Sequence, residues 1–175
     1  AMNVEYHSKQ DIVDYYNKHP FDGDMDTKYK EEPDVFAPYN LGSLTQKTID
    51  NAQNMVNVVR YVAGLSGMTV EDASLSKSAQ AAALANAANG ELSHYPRRPR
   101  DMSDNMYNLA QEGASSSNIA MTSGRMTLPM SIRMYLSDAD SGNRSRVGHR
   151  RWILYPTLYK IGFGQVEGYT ATRVI

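Results

Sequence analysis

The sequence contains no cysteine. Disulfides, thiolate metal sites and thiol catalysis are therefore excluded together, although the compartment is not fixed by that absence. No apolar run approaches the ~18 residues needed to span a bilayer. A net charge of only −1 argues against a dedicated nucleic-acid binder, which needs a strong positive excess. No leader-like segment opens the chain, and Ala1-Met2 reads as a cloning scar, so a leader could have been cut away. Internal repeats are also missing.

A chain of 175 residues, 41% hydrophobic and 21% charged, is one globular domain with room for an arm. Its charge is unevenly spread. Residues 1–40 hold nine acids against four lysines, a net of −5, whereas residues 90–160 hold nine arginines and a lysine against six acids, a net of +4. The contrast suggests either an anion-attracting C-terminal half or two solvated surfaces that compensate each other.

Residues 8–19 read as a short helix, capped by Ser8 and ended by Pro20. Residues 20–42, with three prolines and no clear periodicity, read as an irregular arm. Asp22, Asp24 and Asp26 resemble the start of a calcium loop, but Thr27 and Pro33 stand where such a loop requires glycine and glutamate. From Ser43 the pattern is clearer. Ser43 and Gln46 form a capping box, and Ile49, Ala52, Val56, Val59 and Ala63 recur as one buried stripe up to Gly64. A second helix spans about 75–89, with a small face of Ala79, Ala82, Ala83 and Ala87 and a stop at Asn89-Gly90. Residues 104–111 suggest a third helix, and Gly113 to Ser117 a loop. Pro129 opens a further helix with Ile132 and Leu136 inward and Asp138 at its exit. Residues 140–146 form a polar loop, and Lys160–Val166 pairs with Tyr169–Ile175 across Glu167-Gly168. Helices first and strands last favour α+β layering.

Four arrangements could carry chemistry. His94, just beyond one helix stop, and His149, beside the only tryptophan, Trp152, are separated in the chain but sit on rigid elements. With Asp138 or Asp140 they could hold a zinc or another divalent ion, act as general acid and base, or make structural hydrogen bonds. A serine nucleophile at Ser115, Ser116 or Ser117 would need a Gly-x-Ser-x-Gly elbow that Gly113–Ser117 lacks. Arg144, Arg146, Arg150 and Arg151, with Arg97, Arg98 and Arg100, could clamp an anion. Gly162-Phe163-Gly164 is too short to cradle phosphate and reads as a closely packed strand.

The order of several segments resembles the CAP superfamily of cysteine-rich secretory, antigen 5 and pathogenesis-related 1 proteins, in its cysteine-free bacterial form. They are Asn57–Leu65, Ala79–Ala82, Gly90–His94, Ser117–Ala120, Gly148–Leu154 and Ile161–Gly164. The resemblance covers residues 43–175, leaving 1–42 as a separate N-terminal arm. It implies an α–β–α sandwich around a central antiparallel sheet, and a cleft carrying two histidines and two acids. His94 and His149 take the histidine positions, and Asp138 takes one acidic position with a shorter side chain. Ser117 stands where the second acid is usual, and serine is neither a strong metal ligand nor a base near neutral pH.

The expected cleft is thus His94, Ser117, Asn118, Asp138, His149 and Arg150, with His94 and His149 as metal ligands if a divalent ion is present. No cofactor is required. The resemblance implies a secreted or surface module, and the departure at Ser117 favours one that binds a protein, lipid or wall-derived ligand without catalysis. A metal-dependent hydrolase using His94, His149 and Asp138 is the alternative. No nucleic acid and no transmembrane segment are expected.

Overall fold

The computed structural model describes residues 4–65 and 68–175. Helix α1 (Lys9–Lys18) starts at a capping box in which the Ser8 hydroxyl and the Asp11 carboxylate exchange hydrogen bonds with each other's backbone N–H. The arm then forms a short strand, β1 (Tyr29–Glu31), which pairs antiparallel with β2 (Ser43–Leu44). Ser43 is therefore a strand residue, not the expected helix cap. The cap of α2 (Gln46–Val62) is Thr45, whose hydroxyl accepts from Thr48 N. Thr45 fills the role two residues later because β1 holds Ser43 in an extended pairing.

Helix α2 buries Ile49, Ala52, Met55 and Val56, but its stripe turns at the C-terminal end. Asn57, Val58 and Arg60 are buried there, while the expected Ala63 is exposed and forms the C-cap. After β3 (Val70–Glu71) comes α3 (Ala73–Asn89), capped by Asp72 and closed by Gly90 in the left-handed region. Helix α3 is buried on nearly all sides, and its alanines leave room for neighbouring backbone on each of them. Helix α4 (Asp104–Ser115) runs four residues beyond the expected end at 111. Gly113 lies inside it because α3 passes so close: a Cβ there would fall 1.9 Å from Ser78 O.

Strand β4 (Ser117–Met121) takes only Ser117 from the expected loop, whose residues 113–115 belong to α4. It is followed by α5 (Leu128–Ser137), α6 (Gly148–Ile153) and the hairpin β5 (Lys160–Val166) and β6 (Tyr169–Arg173). The sheet order is β3-β5-β6-β4. Its three longer strands are antiparallel, and β3 adds a two-residue parallel edge. Side chains alternate across it with the period of two expected of strands. Gly162 and Gly164 turn toward α3, where a Cβ on Gly164 would meet Gln80 N at 2.4 Å. Ile161 and Phe163 turn the other way, into a core shared with α2, α5 and Ile153 of α6. Helices α3 and α4 therefore cover one face, and α2 and α5 the other. This is the α–β–α sandwich.

The arm is fastened to this sandwich. The Tyr29 hydroxyl donates to Gln165 O (2.8 Å), and the Thr27 hydroxyl to Gln165 Oε1 (2.6 Å). Asp26 pairs with Arg125 and Asp24 with Arg133. Two of the three acids of that run are thus paired with arginines, while Asp22 accepts from Asp24 N.

Two outcomes are expected. Gly113→Ala should cost about 1–3 kcal/mol in equilibrium urea unfolding, because a methyl group at that position overpacks α3 against α4. The Asp72 carboxyl is held down to about 2, first by the Ser74 hydroxyl and then by the backbone at Leu75. A depressed carboxyl stabilises the fold above its unfolded value and loses that contribution as the pH falls toward its folded value. Asp72→Ala should therefore lower thermal stability at pH 7 and flatten the decline between pH 4 and 2 in a pH series of melts.

Candidate functional site

The site is assembled at the end of α5. Asp138 is its C-cap in the left-handed region (φ 42°), with its N–H donating to Met134 O. That conformation turns the carboxylate inward, where the side chain has no solvent exposure. Its Oδ1 lies 2.7 Å from His149 Nδ1, and its Oδ2 accepts from Arg150 N at 2.9 Å. Arg150 folds back on α5, donating to the carbonyls of Leu136 and Ser137, which the helix end leaves unpaired. Its guanidinium serves the backbone and does not line the histidine cleft.

His149 lies on α6, a helix of six residues with no side-chain cap. Its position depends on neighbours. Asn118 Nδ2 donates to His149 O (3.0 Å), and the Tyr135 hydroxyl donates to Asn118 O (3.0 Å). The Tyr135 and His149 rings lie 5.6 Å apart. Burial pushes the Tyr135 phenol up to about 12, so it acts here as a hydrogen-bond donor. From α2, the fully buried Arg60 donates from one terminal nitrogen to both Ile153 O and Tyr155 O, each at 2.8 Å. Arg60 thus holds the far end of α6.

His94 is exposed on the loop after α3, and its Nδ1 lies 2.8 Å from Ala114 O, near the end of α4. A carbonyl and a carboxylate only accept hydrogen bonds, so each imidazole, when neutral, carries its proton on Nδ1 and leaves Nε2 bare. His94 and His149 line one cleft of about 510 Å³, together with Leu92, Met121, Met134 and Tyr135. They also share a smaller hollow of about 190 Å³, lined by Ser117 and Asn118.

Ser117 begins β4, is buried, and has no hydrogen-bond partner for its Oγ among the described residues. It sits on a strand and not on a nucleophile elbow. Ser115 and Ser116 close α4, the Ser115 hydroxyl donating to Glu112 O. Of the arginines considered for an anion clamp, Arg98 pairs with Asp104 and Arg100 lies by Asp101, whereas Arg146, Arg150 and Arg151 border one cavity beside α6.

One group of possible metal ligands occurs among the described residues: Asp138, Asp140 and His149, with ligand atoms within 4.8 Å of one another. His94, the expected co-ligand, is not in it. Asp140 is instead a loop anchor whose Oδ1 takes the N–H groups of Gly142 and Asn143. The hydrogen bond from the Asn143 side chain is the first cause that lowers its carboxyl pKa.

A family model described as the cysteine-rich secretory protein family, CAP, matches residues 53–174. The chain belongs to the CAP family. No curated protein and no solved structure matches it. The match begins inside α2 and ends after β6, so every element that builds the histidine cleft of this CAP domain lies within it. Among the described residues, no helix is long and apolar enough to cross a membrane.

Sequence reasoning missed Arg60. A lone arginine ending an apolar stripe is ordinarily a solvated charge, and nothing local marks its long-range carbonyl partners. Tyr135 carried a clearer signal, as a large aromatic on the inward face of α5 just before Asp138.

Asp138→Ala leaves the His149 ring and the Arg150 N–H without their acceptor. The expected cost is roughly 2–4 kcal/mol by urea unfolding, from two buried hydrogen bonds to a charged group. A loss within ordinary surface-substitution range, about 0.5 kcal/mol, would show that this carboxylate does not organise the site.

Proposed function

We propose that this CAP domain is an exported, secreted or cell-surface, module that binds a protein, lipid or wall-derived ligand in the cleft between His94 and His149, without catalysis. The observation that supports it most is that both imidazoles are anchored through Nδ1, which leaves two fixed Nε2 acceptors over an apolar floor. Such a cleft offers buried contact area with a few polar points to orient a ligand, which is what small-ligand sites require. The nucleophile and the second acid that turnover would need are not supplied by Ser117, which is buried in β4. The word "secretory" in the family's description supports export.

A metal-assisted hydrolase using His94, His149 and Asp138 is the second reading, favoured by the Asp138, Asp140 and His149 grouping. The residues fit an ion poorly. Both Asp138 oxygens already hold N–H groups in a solvent-free position, and Asp140 Oδ1 is committed to its own loop. A catalytic zinc takes three protein ligands, and these carboxylates reach that number only by giving up the bonds that position His149.

The two readings separate in one pair of measurements. Ring signals of His94 and His149 are followed by NMR while soluble muropeptides or a lysophospholipid are added, with product formation assayed in parallel. Binding predicts that one of these probes moves both rings along a single saturation curve, with the probe recovered intact. Conversion of a probe that disappears on His94→Ala, together with zinc bound at near one equivalent, would establish the hydrolase instead. If none of these probes moves either ring, the binding assignment is wrong.

A further inference from the structure

The sheet ends at β4, and the outer edge of that strand runs along the histidine cleft. Three consecutive strand residues, Ile119, Ala120 and Met121, line the cleft. Successive side chains of a strand point to opposite faces, so a hollow that meets all three meets the backbone between them. The walls come from the two helical layers, Leu92 and His94 on one side, Met134, Tyr135 and His149 on the other. The smaller hollow continues along Ser117 and Asn118. The two together follow β4 over its whole length, about 16 Å at the usual rise of a strand.

Register decides which backbone groups face the cleft. Ser117 lies opposite Arg173 and Met121 opposite Tyr169. Just beyond them, Ser116 O accepts from Val174 N, and Thr122 N donates to Gly168 O. In an antiparallel pair, residues bonded to the partner alternate with residues whose N–H and C=O point away from it. Asn118 and Ala120 are therefore bonded to β6, while Ser117, Ile119 and Met121 turn their backbone groups outward. Among the described residues, no hydrogen bond reaches the N–H or C=O of Ile119 or Met121.

An open edge is a template for one more strand. This one is recessed, with Ile119 and Ala120 buried and Met121 exposed at its end. A second folded copy cannot lower its own sheet edge between the two helical layers, whereas a single extended chain can. Side chains of such a chain point alternately to the Leu92 and His94 wall and to the Met134 and His149 wall. Apolar ones pack on Leu92 or Met134, and hydroxyl ones can donate to a bare Nε2.

We infer that the histidine cleft takes an extended peptide segment, which adds to β4 as a fifth strand and pairs with the outward groups of Ser117, Ile119 and Met121. The inference rests on the reading of that cleft as the ligand site and narrows its ligand to a peptide backbone.

The probe is a capped pentapeptide of alternating threonine and valine. It is titrated into isotope-labelled protein while amide hydrogen exchange and both histidine rings are followed by NMR. In the free protein the amides of Ile119 and Met121 should exchange faster than that of Ala120. Peptide at about ten times its Kd should slow Ile119 and Met121 about tenfold and leave Ala120 unchanged. Met121→Pro removes one outward donor at a place where an edge strand tolerates proline. It should weaken the peptide about tenfold with thermal stability nearly unchanged. Should that variant fail to fold, the exchange rates of the unaltered protein still decide. Ring shifts without protection of Ile119 and Met121 would overturn strand addition while leaving the cleft as the binding site. Silence of both rings and amides would overturn it too, and the cleft would then be judged by the muropeptide and lysophospholipid probes alone. Protection that grows with protein concentration and needs no peptide would give the edge to a second copy instead.

Discussion

A buried carboxylate needs partners that repay its loss of water, and Asp138 has two, the His149 ring and the Arg150 N–H. These bonds join the end of α5 to a helix too short to stand alone. Isolated helices shorter than about 12 residues are marginal in water, and α6 has six. What holds α6 in place is a set of long-range bonds: Asp138 at its start, Asn118 on the His149 carbonyl, and Arg60 on the carbonyls at its end. The orientation of His149 follows from that bracing. Without Asp138 the ring would keep its place in the chain but lose its fixed direction.

His94 is positioned by a different route. Its loop leaves α3 through Gly90, and its ring leans on the last turn of α4. Helix α4 is in turn set by its close approach to α3 at Gly113. The two histidines thus belong to separate sides of the sandwich, one fixed by the α3 and α4 layer and one by α5 and α6. The cleft between them exists because both layers pack on the same sheet. Small residues matter more than large ones here, since Gly162 and Gly164 of β5 bring α3 onto the sheet.

Much of this was legible in the chain. The caps at Ser8 and Gly90, the apolar period of α2, the proline near the start of α5 and the final hairpin all announce themselves through local chemistry. The order of short motifs pointed to the CAP family, and the family model confirms it. Boundaries were lost where tertiary pairing overrode local preference. Ser43 was drawn into β2 by the arm, and Gly113 sits in the last turn of α4 because α3 approaches closely. In the site, His94, His149, Asp138 and Asn118 could be picked out by type and position. The actual job of Arg150, capping the carbonyls of α5, could not, and neither could the link from Arg60 to α6, because their partners lie far away in sequence or on the backbone.

The central claim is that oxygen acceptors lock both imidazoles through Nδ1 and leave Nε2 free toward the cleft. A long-range proton–nitrogen correlation spectrum of the protein, at a pH where the rings are neutral, reads the tautomer of each histidine directly. The account predicts the Nδ1–H form for both His94 and His149. Finding the Nε2–H form, which predominates in unconstrained imidazole, at either position would contradict it.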